Sequence, residues 1–331
     1  MPELPEVESA RRLLHRLGVG RTIVRAVVAD DDKVVKGIPP KKLQAALQGS
    51  QILSTDRRGK HMWAVLGPSK HSLMLHYGMT GMLAAKGEGA ANYRGENVDA
   101  ASWPPRFWKI HFQLDDGAEI AFCDSRRFAR VQYVADPLAL PSIAALGWDP
   151  LTGMPGVGEL TQALARQRRS MKAVLLDQSF LAGVGNWVAD EVLYQARIHP
   201  EQRADALTEE QAARVHGAVQ HICRTASDLN AESARLPATW LFHARWSKGR
   251  KERPEVEGEA IEHITVAGRT SAFVPRLQVL QDGDAGVEDA LREPPKQEPR
   301  KRPEPGGKET KVKRQAATTP PPAARKRRGA G

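Results

Sequence analysis

The sequence predicts an α+β fold: one N-terminal helix, a body of antiparallel strands packed as a sandwich, then a helical region. Three observations carry this. Residues 22–135 alternate apolar and polar in short runs separated by turn residues. From Pro137 the apolar spacing lengthens to the three-to-four period of helices. Beyond Gln281 large apolar residues almost vanish from a stretch of Pro, Lys, Arg, Gly and Ala, which cannot bury a core and is expected to be disordered. A chain of 331 residues has room for two domains, or one with appendages.

The elements follow in order. "MPELPEVESARRLL" starts a helix: proline suits the first turn, acids favour the positive end, and Val7, Ala10, Leu14 and Leu17 form an apolar stripe. "TIVRAVVAD" alternates and ends in an acidic turn. "QILSTDRRGKHMWAVL" reads as two strands around a polar turn at 56–60, and "HSLMLHYGMTGML" places Leu73, Leu75 and Tyr77 on one face. "FWKIHFQLDDGAEIAFC" alternates on both sides of a DDG turn, a strong hairpin signal. Residues 84–106, polar and Gly-rich, read as a long surface loop. Helices are expected over about 159–178, 187–196, 208–230 and 238–243, with Thr208 capping the third. After a basic connector come two short strands, "AIEHITV" and "RTSAFVPRLQVL". The resulting division is 1–136 for the sandwich, 137–246 for the helical domain, 247–282 for a short β unit and 283–331 for the tail.

Charge narrows the partners. There are 49 Lys and Arg against 39 Asp and Glu, a formal +10, which suits a polyanion. Residues 283–331 hold 13 basic and 7 acidic residues, so +6 of that charge lies in the tail. Any binding face on the body must therefore be a local basic patch. With only Cys123 and Cys223, neither a disulfide framework nor a four-cysteine zinc site can form. Both are expected to be buried thiols in a reducing compartment. No signal peptide and no run of about twenty apolar residues is visible, so a membrane-spanning role is not expected.

Several constellations could carry chemistry. In "GVGNWVADEVL" (183–193) glycines lead into Asn186 at a helix start, a natural phosphate cradle; a plain helix cap explains it equally well. A helix precedes it, so the order is helix, two turns, helix, a DNA-binding arrangement. "HYGMTG" and "CDSRRFARV" put Met79, Arg126 and Phe128 at strand ends, where they could enter a duplex and fill the gap left by an extruded base; ordinary core packing is the alternative. Lys60 in "DRRGKHM" and Arg269 in "VAGRTSAF" occupy tight turns, suited to phosphate or simply to water. At the terminus, removal of Met1 would leave Pro2 a free secondary amine beside Glu3. "PEVE" recurs at 254–257, where the proline nitrogen is an amide and inert; an exposed turn is expected there.

"PELPEVE", "RRGKHM", "HYGMTG", "DSRRFA", "GVGNWVADEVLYQARIHP" and "VAGRTSAFVP" occur in the order found in formamidopyrimidine-DNA glycosylases, and residues 1–281 resemble that family. The resemblance implies a β-sandwich followed by a helix-two-turn-helix domain. The last motif, without zinc cysteines, is similar to the zincless finger of the plant and fungal branch. It implies Pro2 as nucleophile, Glu3 as acid/base and Glu6 as supporting carboxylate. It implies Lys60, His76, Asn186 and Arg269 as phosphate ligands, and Met79, Arg126 and Phe128 as the wedge. Ser125, Ala129 and His61 depart from the common bacterial pattern of proline, glycine and an aromatic residue.

An α-amine titrates near 8, roughly two units below lysine, so an N-terminal proline is partly neutral without deep burial. The implied activity is a bifunctional DNA glycosylase and abasic-site lyase of base excision repair, cutting by β,δ-elimination. Its partner is double-stranded DNA containing oxidised bases or abasic sites. Residues 225–262 do not read like the bacterial lesion-gripping loop, and resemblance to the plant and fungal branch implies ring-opened purines, hydantoins and abasic sites as substrates, with weak action on 8-oxoguanine. No metal or cofactor is implied, and a monomer is expected. A non-catalytic damaged-DNA binder is the second reading, but it would lack Pro2, Glu3 or Lys60. A tautomerase using an N-terminal proline is the third, but such chains are short. Basic clusters at 299–303, 311–314 and 324–328 point to the nucleus or to DNA tethering.

Overall fold

A computed structural model describes residues 1–90, 102–249 and 254–281. Helix α1 (Leu4–Gly18) opens with prolines and acids as expected. Its stripe serves two cores. Val7, Ala10 and Leu14 pack into the sandwich, whereas Leu4 joins the core of the helical region with Trp187 and Val188. One helix therefore pins the two halves together.

The sandwich begins with β1 (Ile23–Val28) and β2 (Val35–Lys36), followed by α2 (Pro40–Leu47). This helix falls inside a stretch expected to be β structure. Eight residues with only Leu43 and Leu47 as buried anchors give too short a period to separate from strands. Next come β3 (Gln51–Arg58), β4 (His61–Gly67), β5 (Ser72–His76), β6 (Met82–Ala85) and β7 (Gly89–Ala90). Then β8 (Trp108–Leu114), β9 (Glu119–Cys123) and β10 (Arg130–Val134) complete two five-stranded sheets, ordered β1-β8-β9-β6-β7 and β2-β10-β5-β4-β3. Pairing is antiparallel except for a short parallel contact between β10 and β2, a departure from the all-antiparallel expectation. Leu73, Leu75 and Tyr77 face the sandwich core as expected, while Met74 points to a separate small cluster. The loop expected from residue 84 opens instead as the β6–β7 hairpin. Its return is pinned by the Trp103 indole N–H donating to Glu119 at 2.9 Å. Residues 91–101 of that loop lie outside the described residues.

The helical region holds α3 (Pro141–Ala144), α4 (Val157–Leu164), α5 (Met171–Leu176), α6 (Asn186–Ala196) and α7 (Glu209–Asp228). The single helix expected at 159–178 is two. Between them the chain pairs sideways, Gln167 and Arg169 accepting from the Asp205 and Ala204 amides at 3.0 Å, and Ser170 caps the restart. Thr208 and Gln211 form the expected capping box at α7. The segment 238–243 is a single 3₁₀ turn at Leu241–His243.

The closing β unit comprises β11 (Glu255–Val256), β12 (Glu259–Ala260), β13 (Glu262–Val266) and β14 (Arg269–Phe273). Ala267 and Gly268, both with positive φ, make the tight turn between the last two, as favoured hairpin turns require. The internal "PEVE" is not merely an exposed turn. Val256 is buried in a small core with Tyr194, Leu241 and Ile261, and only Glu257 turns the chain. Cys123 and Cys223 are buried and free, and burial pushes the Cys123 thiol up to about 12. Among the described residues no helix is long and apolar enough to cross a membrane. The tail at 283–331 lies outside the described residues.

Candidate active site at the start of the chain

The approach of α1 to α6 depends on glycine. Gly183 has φ +94°, and the Leu4 amide donates to its carbonyl at 3.0 Å. A Cβ on Gly185 would overlap the Glu3 carboxylate. With no side chain there, Glu3 reaches the α6 N-terminus and accepts from the Trp187 and Val188 amides at 2.9 and 3.2 Å. The positive end of the helix is thus occupied by a carboxylate of the chain itself. One expectation is corrected by this. The "GVGN" turn is not an open phosphate cradle, because the Glu3 carboxylate, 3% exposed, already fills it.

Glu6 lies one turn along. It accepts from the Glu3 amide at 2.8 Å and from the Trp187 indole N–H at 3.0 Å. Burial, with Glu3 close by, pushes its carboxyl up to about 8. Pro2 is half-buried just ahead of this pair. Lys60 is not a solvated turn residue. Its ammonium is buried and donates to the Val184 carbonyl at 2.9 Å, and burial lowers its pKa against the pull of Glu3 and Glu6.

The Lys60 turn is held from behind. Arg57 donates to the Gly59 carbonyl at 3.0 Å, to Asp149 at 2.7 and 3.0 Å and to Glu8 at 3.1 Å, while the Gly59 amide donates to Asp149 at 2.8 Å. Asp149 is fully buried, and burial would raise the Glu8 carboxyl, yet Arg11, Arg57 and Arg12 hold it at about 2. A second buried set supports α6. Lys172 and Arg245 both pair with Asp190 and both donate to the Asn186 carbonyl, at 3.0 and 3.4 Å. Sequence reasoning missed Arg57, Asp149, Lys172, Asp190 and Arg245. Two adjacent acids, Asp190 and Glu191, inside the mostly apolar run "WVADEVL" are the signal that could have exposed the second set.

The Asn186 amide N–H donates to the Thr270 carbonyl at 2.9 Å, tying α6 to the hairpin whose turn presents the exposed Arg269. Its side-chain oxygen is buried without a partner among the described residues. His76 faces His61 across β4 and β5, with ring centroids 4.7 Å apart. Burial, with Lys60 beside His61 and with His61, Lys60 and Arg130 beside His76, pushes both imidazoles down to about 4. Each is a neutral ring at physiological pH.

Met79, Arg126 and Phe128 form a separate group on the loops after β5 and β9. Phe128 is 54% exposed, and the Arg126 guanidinium lies 5.1 Å from its ring centroid. Neither side chain is core. Asp124, fully buried and also missed from sequence, organises the loop. It accepts from the Thr80 hydroxyl at 2.5 Å and from the Arg126 and Ala129 amides at 3.2 and 2.7 Å. Gly78, with φ +55°, lets the Phe128 backbone come within van der Waals range of the Met79 loop.

A carboxylate fixed at a helix start beside Pro2, with an exposed guanidinium–phenyl pair on the adjoining sandwich, fits a DNA glycosylase of the helix-two-turn-helix class. The family models agree: the formamidopyrimidine-DNA glycosylase N-terminal domain matches residues 1–131 and its H2TH domain matches 146–237. A formamidopyrimidine-DNA glycosylase of Arabidopsis thaliana is 42% identical over 286 residues, 86% of this chain and 73% of that one. One from Synechococcus elongatus is 33% identical, over 85% of this chain and 98% of its own. The Lactococcus lactis enzyme bound to DNA with an abasic site superposes with TM-score 0.69 at 25% identity, over 84% of this chain and 99% of that one. Its complex with FAPY-dG DNA gives 0.68 at 26%. The chain belongs to the formamidopyrimidine-DNA glycosylase family.

Proposed function

We propose that this DNA glycosylase of base excision repair also cleaves the strand, with Pro2 as nucleophile once residue 1 is removed. The observation that carries the reading is the fixed Glu3 carboxylate, held by two α6 amides beside Pro2. The Pro2 amine attacks C1′ of the flipped nucleotide, forming an N–C bond as the base departs. Glu3 takes the proton that the amine sheds and passes it to the ring oxygen as the C1′–O bond breaks and the sugar opens. The resulting iminium acidifies the C2′ proton. Its loss breaks the C3′–O bond, a second elimination breaks the C5′–O bond, and water releases the sugar fragment from the amine.

Glu6 supports Glu3 by accepting its amide. Lys60, His76, Asn186 and Arg269 hold phosphates around the lesion, Lys60 and Arg269 as cations and His76 as a neutral donor. Met79, Arg126 and Phe128 fill the vacated stack. Ring-opened purines, hydantoins and abasic sites are the substrates; the FAPY-dG and abasic-site complexes of the Lactococcus lactis enzyme support the first and the last. Borohydride reduction on an abasic duplex tests the nucleophile. A covalent adduct is expected, and it should disappear with Pro2→Gly or with an uncleaved N-terminal tag. An adduct that survives both changes assigns the amine to a lysine instead.

The basic tail supports delivery to the nucleus and tethering on DNA. Deleting 283–331 should lower duplex affinity at low salt and flatten its salt dependence, while single-turnover cleavage of a saturating abasic duplex is kept. A truncated chain that still concentrates in the nucleus would refute the targeting role.

A further inference from the structure

The hairpin that presents Arg269 has only two strands, β13 and β14, and a two-stranded hairpin is marginal on its own. Residues 254–281 contain no cysteine that could tie its base. A buried amide does so instead. Gln278 is fully buried. Its side-chain oxygen accepts from the Val274 amide at 2.8 Å, and its side-chain N–H donates to the Ile198 carbonyl at 2.8 Å. The Gln278 backbone amide returns to the Val274 carbonyl at 2.9 Å, so residues 274–278 close a ring directly behind β14. A buried polar side chain is costly unless its groups are paired, and the oxygen and nitrogen of this one both are.

The clasp reaches into the helical region. Ile198 lies just past the end of α6, in the core of that region, while Val274 belongs to the small core shared with Tyr194 of α6. Three residues after Gln278 the strap is pinned again. The Gln281 amide donates to the Gln202 side chain at 2.9 Å, and its side-chain oxygen accepts from Gln211, in the first turn of α7, at 2.8 Å. At the other end of the hairpin, Asn186 holds the Thr270 carbonyl. The hairpin is thus fixed at both ends of α6, its tip at the first residue and its base just beyond the last. Arg269 is exposed, so its placement depends on the backbone that carries it. Supports of this kind decide whether a binding group is in register or an ångström too loose.

We propose that Gln278 is a positioning residue, whose clasp fixes the base of the hairpin so that Arg269 and Asn186 meet the same stretch of duplex backbone. The inference rests on the phosphate-binding reading of Arg269. It gives Gln278 no contact with DNA and no part in the chemistry.

The test uses the full chain and a duplex bearing a tetrahydrofuran abasic-site analogue, which the enzyme binds without cutting. Gln278→Met keeps the volume and breaks both side-chain bonds. Its affinity for that duplex should fall about tenfold. The slope of log affinity against log salt should drop by about one phosphate, as for Arg269→Ala. A loss of stability alone would not change that slope. The double variant should bind no worse than Arg269→Ala, because the clasp acts through the arginine. Borohydride trapping at saturating abasic duplex should be retained in Gln278→Met. Gln281→Ala, which loosens only the exposed end of the strap, should move affinity and slope the same way by less. Unchanged affinity and slope in Gln278→Met, or additive losses in the double variant, overturn the proposal. If Gln278→Met does not fold, unchanged values in Gln281→Ala overturn it. Arg269→Ala separates the two readings: if it weakens binding while Gln278→Met does not, the clasp fails alone. If Arg269→Ala is itself silent, the phosphate reading fails and the clasp with it.

Discussion

Glu3, Glu6 and Lys60 are buried and hydrogen-bonded to backbone groups or to the Trp187 indole, whereas Arg126 and Phe128 stand on a loop in solvent. The first group depends on layers of paired charge behind it, through Arg57 and Asp149 and through Asp190 with Lys172 and Arg245. The second depends on one buried carboxylate, Asp124, which holds backbone amides and the Thr80 hydroxyl. Under the proposed function the first group transfers protons and needs fixed distances, which burial enforces. The second would enter a duplex and needs exposure, so only its backbone can be fixed. The two should therefore fail differently.

The largest effect is expected behind the buried group. Arg57→Met leaves the fully buried Asp149 without its cation, which costs about 3–5 kcal/mol. Thermal or urea unfolding should show it, with catalysis lost only as the fold is lost. A drop below about 1 kcal/mol would mean that the pair does not support the Lys60 turn. Smaller is Asp124→Ala, which strips partners from two amides and should cost about 1–3 kcal/mol. At temperatures where it remains folded, this variant should bind an abasic duplex as poorly as Phe128→Ser, and normal binding would show that Asp124 does not order the wedge.

The last effect is one of pH dependence, confined to the buried side. The Glu6 carboxyl is raised from 4.5 to about 8, so its contribution to stability is full below 4.5 and is lost as pH rises through about 8. The imidazoles of His61 and His76 are lowered from 6.5 to about 4, so theirs is full above 6.5 and is lost as pH falls toward 4. Glu6→Gln should flatten the decline of Tm between about pH 5 and 8, and Phe128→Ser should leave that profile unchanged. Equal profiles for Glu6→Gln and the parent chain would refute the assignment.

Much of the sandwich was legible because its strands are half-buried and alternate, as in the 108–123 hairpin. Helix α2 was not, since eight residues with two buried leucines have no resolvable period. The site motifs were legible as residue types in turns, and Lys60, Asn186 and Glu3 do meet at the start of α6. The direction of their contacts was not, because a glycine says that something approaches without saying what. At Gly185 the approaching group is the Glu3 carboxylate, where a phosphate was expected. The supporting charges escaped for a related reason: Arg57 and Asp149 are far apart in sequence, and nothing local marks them as partners.

The bond from the Trp187 amide to Glu3 spans 184 residues of chain. During synthesis the terminus emerges first, and its docking site on α6 does not yet exist. At about 5–20 residues per second, on the order of ten seconds or more separates the two events. Until α6 arrives, residues 1–3 have no pocket to occupy and stay open to trimming enzymes. Afterwards Glu3 is enclosed, while Met1 and Pro2 stay half-buried. Under the proposed function, the interval before that closure is when residue 1 is most freely removed.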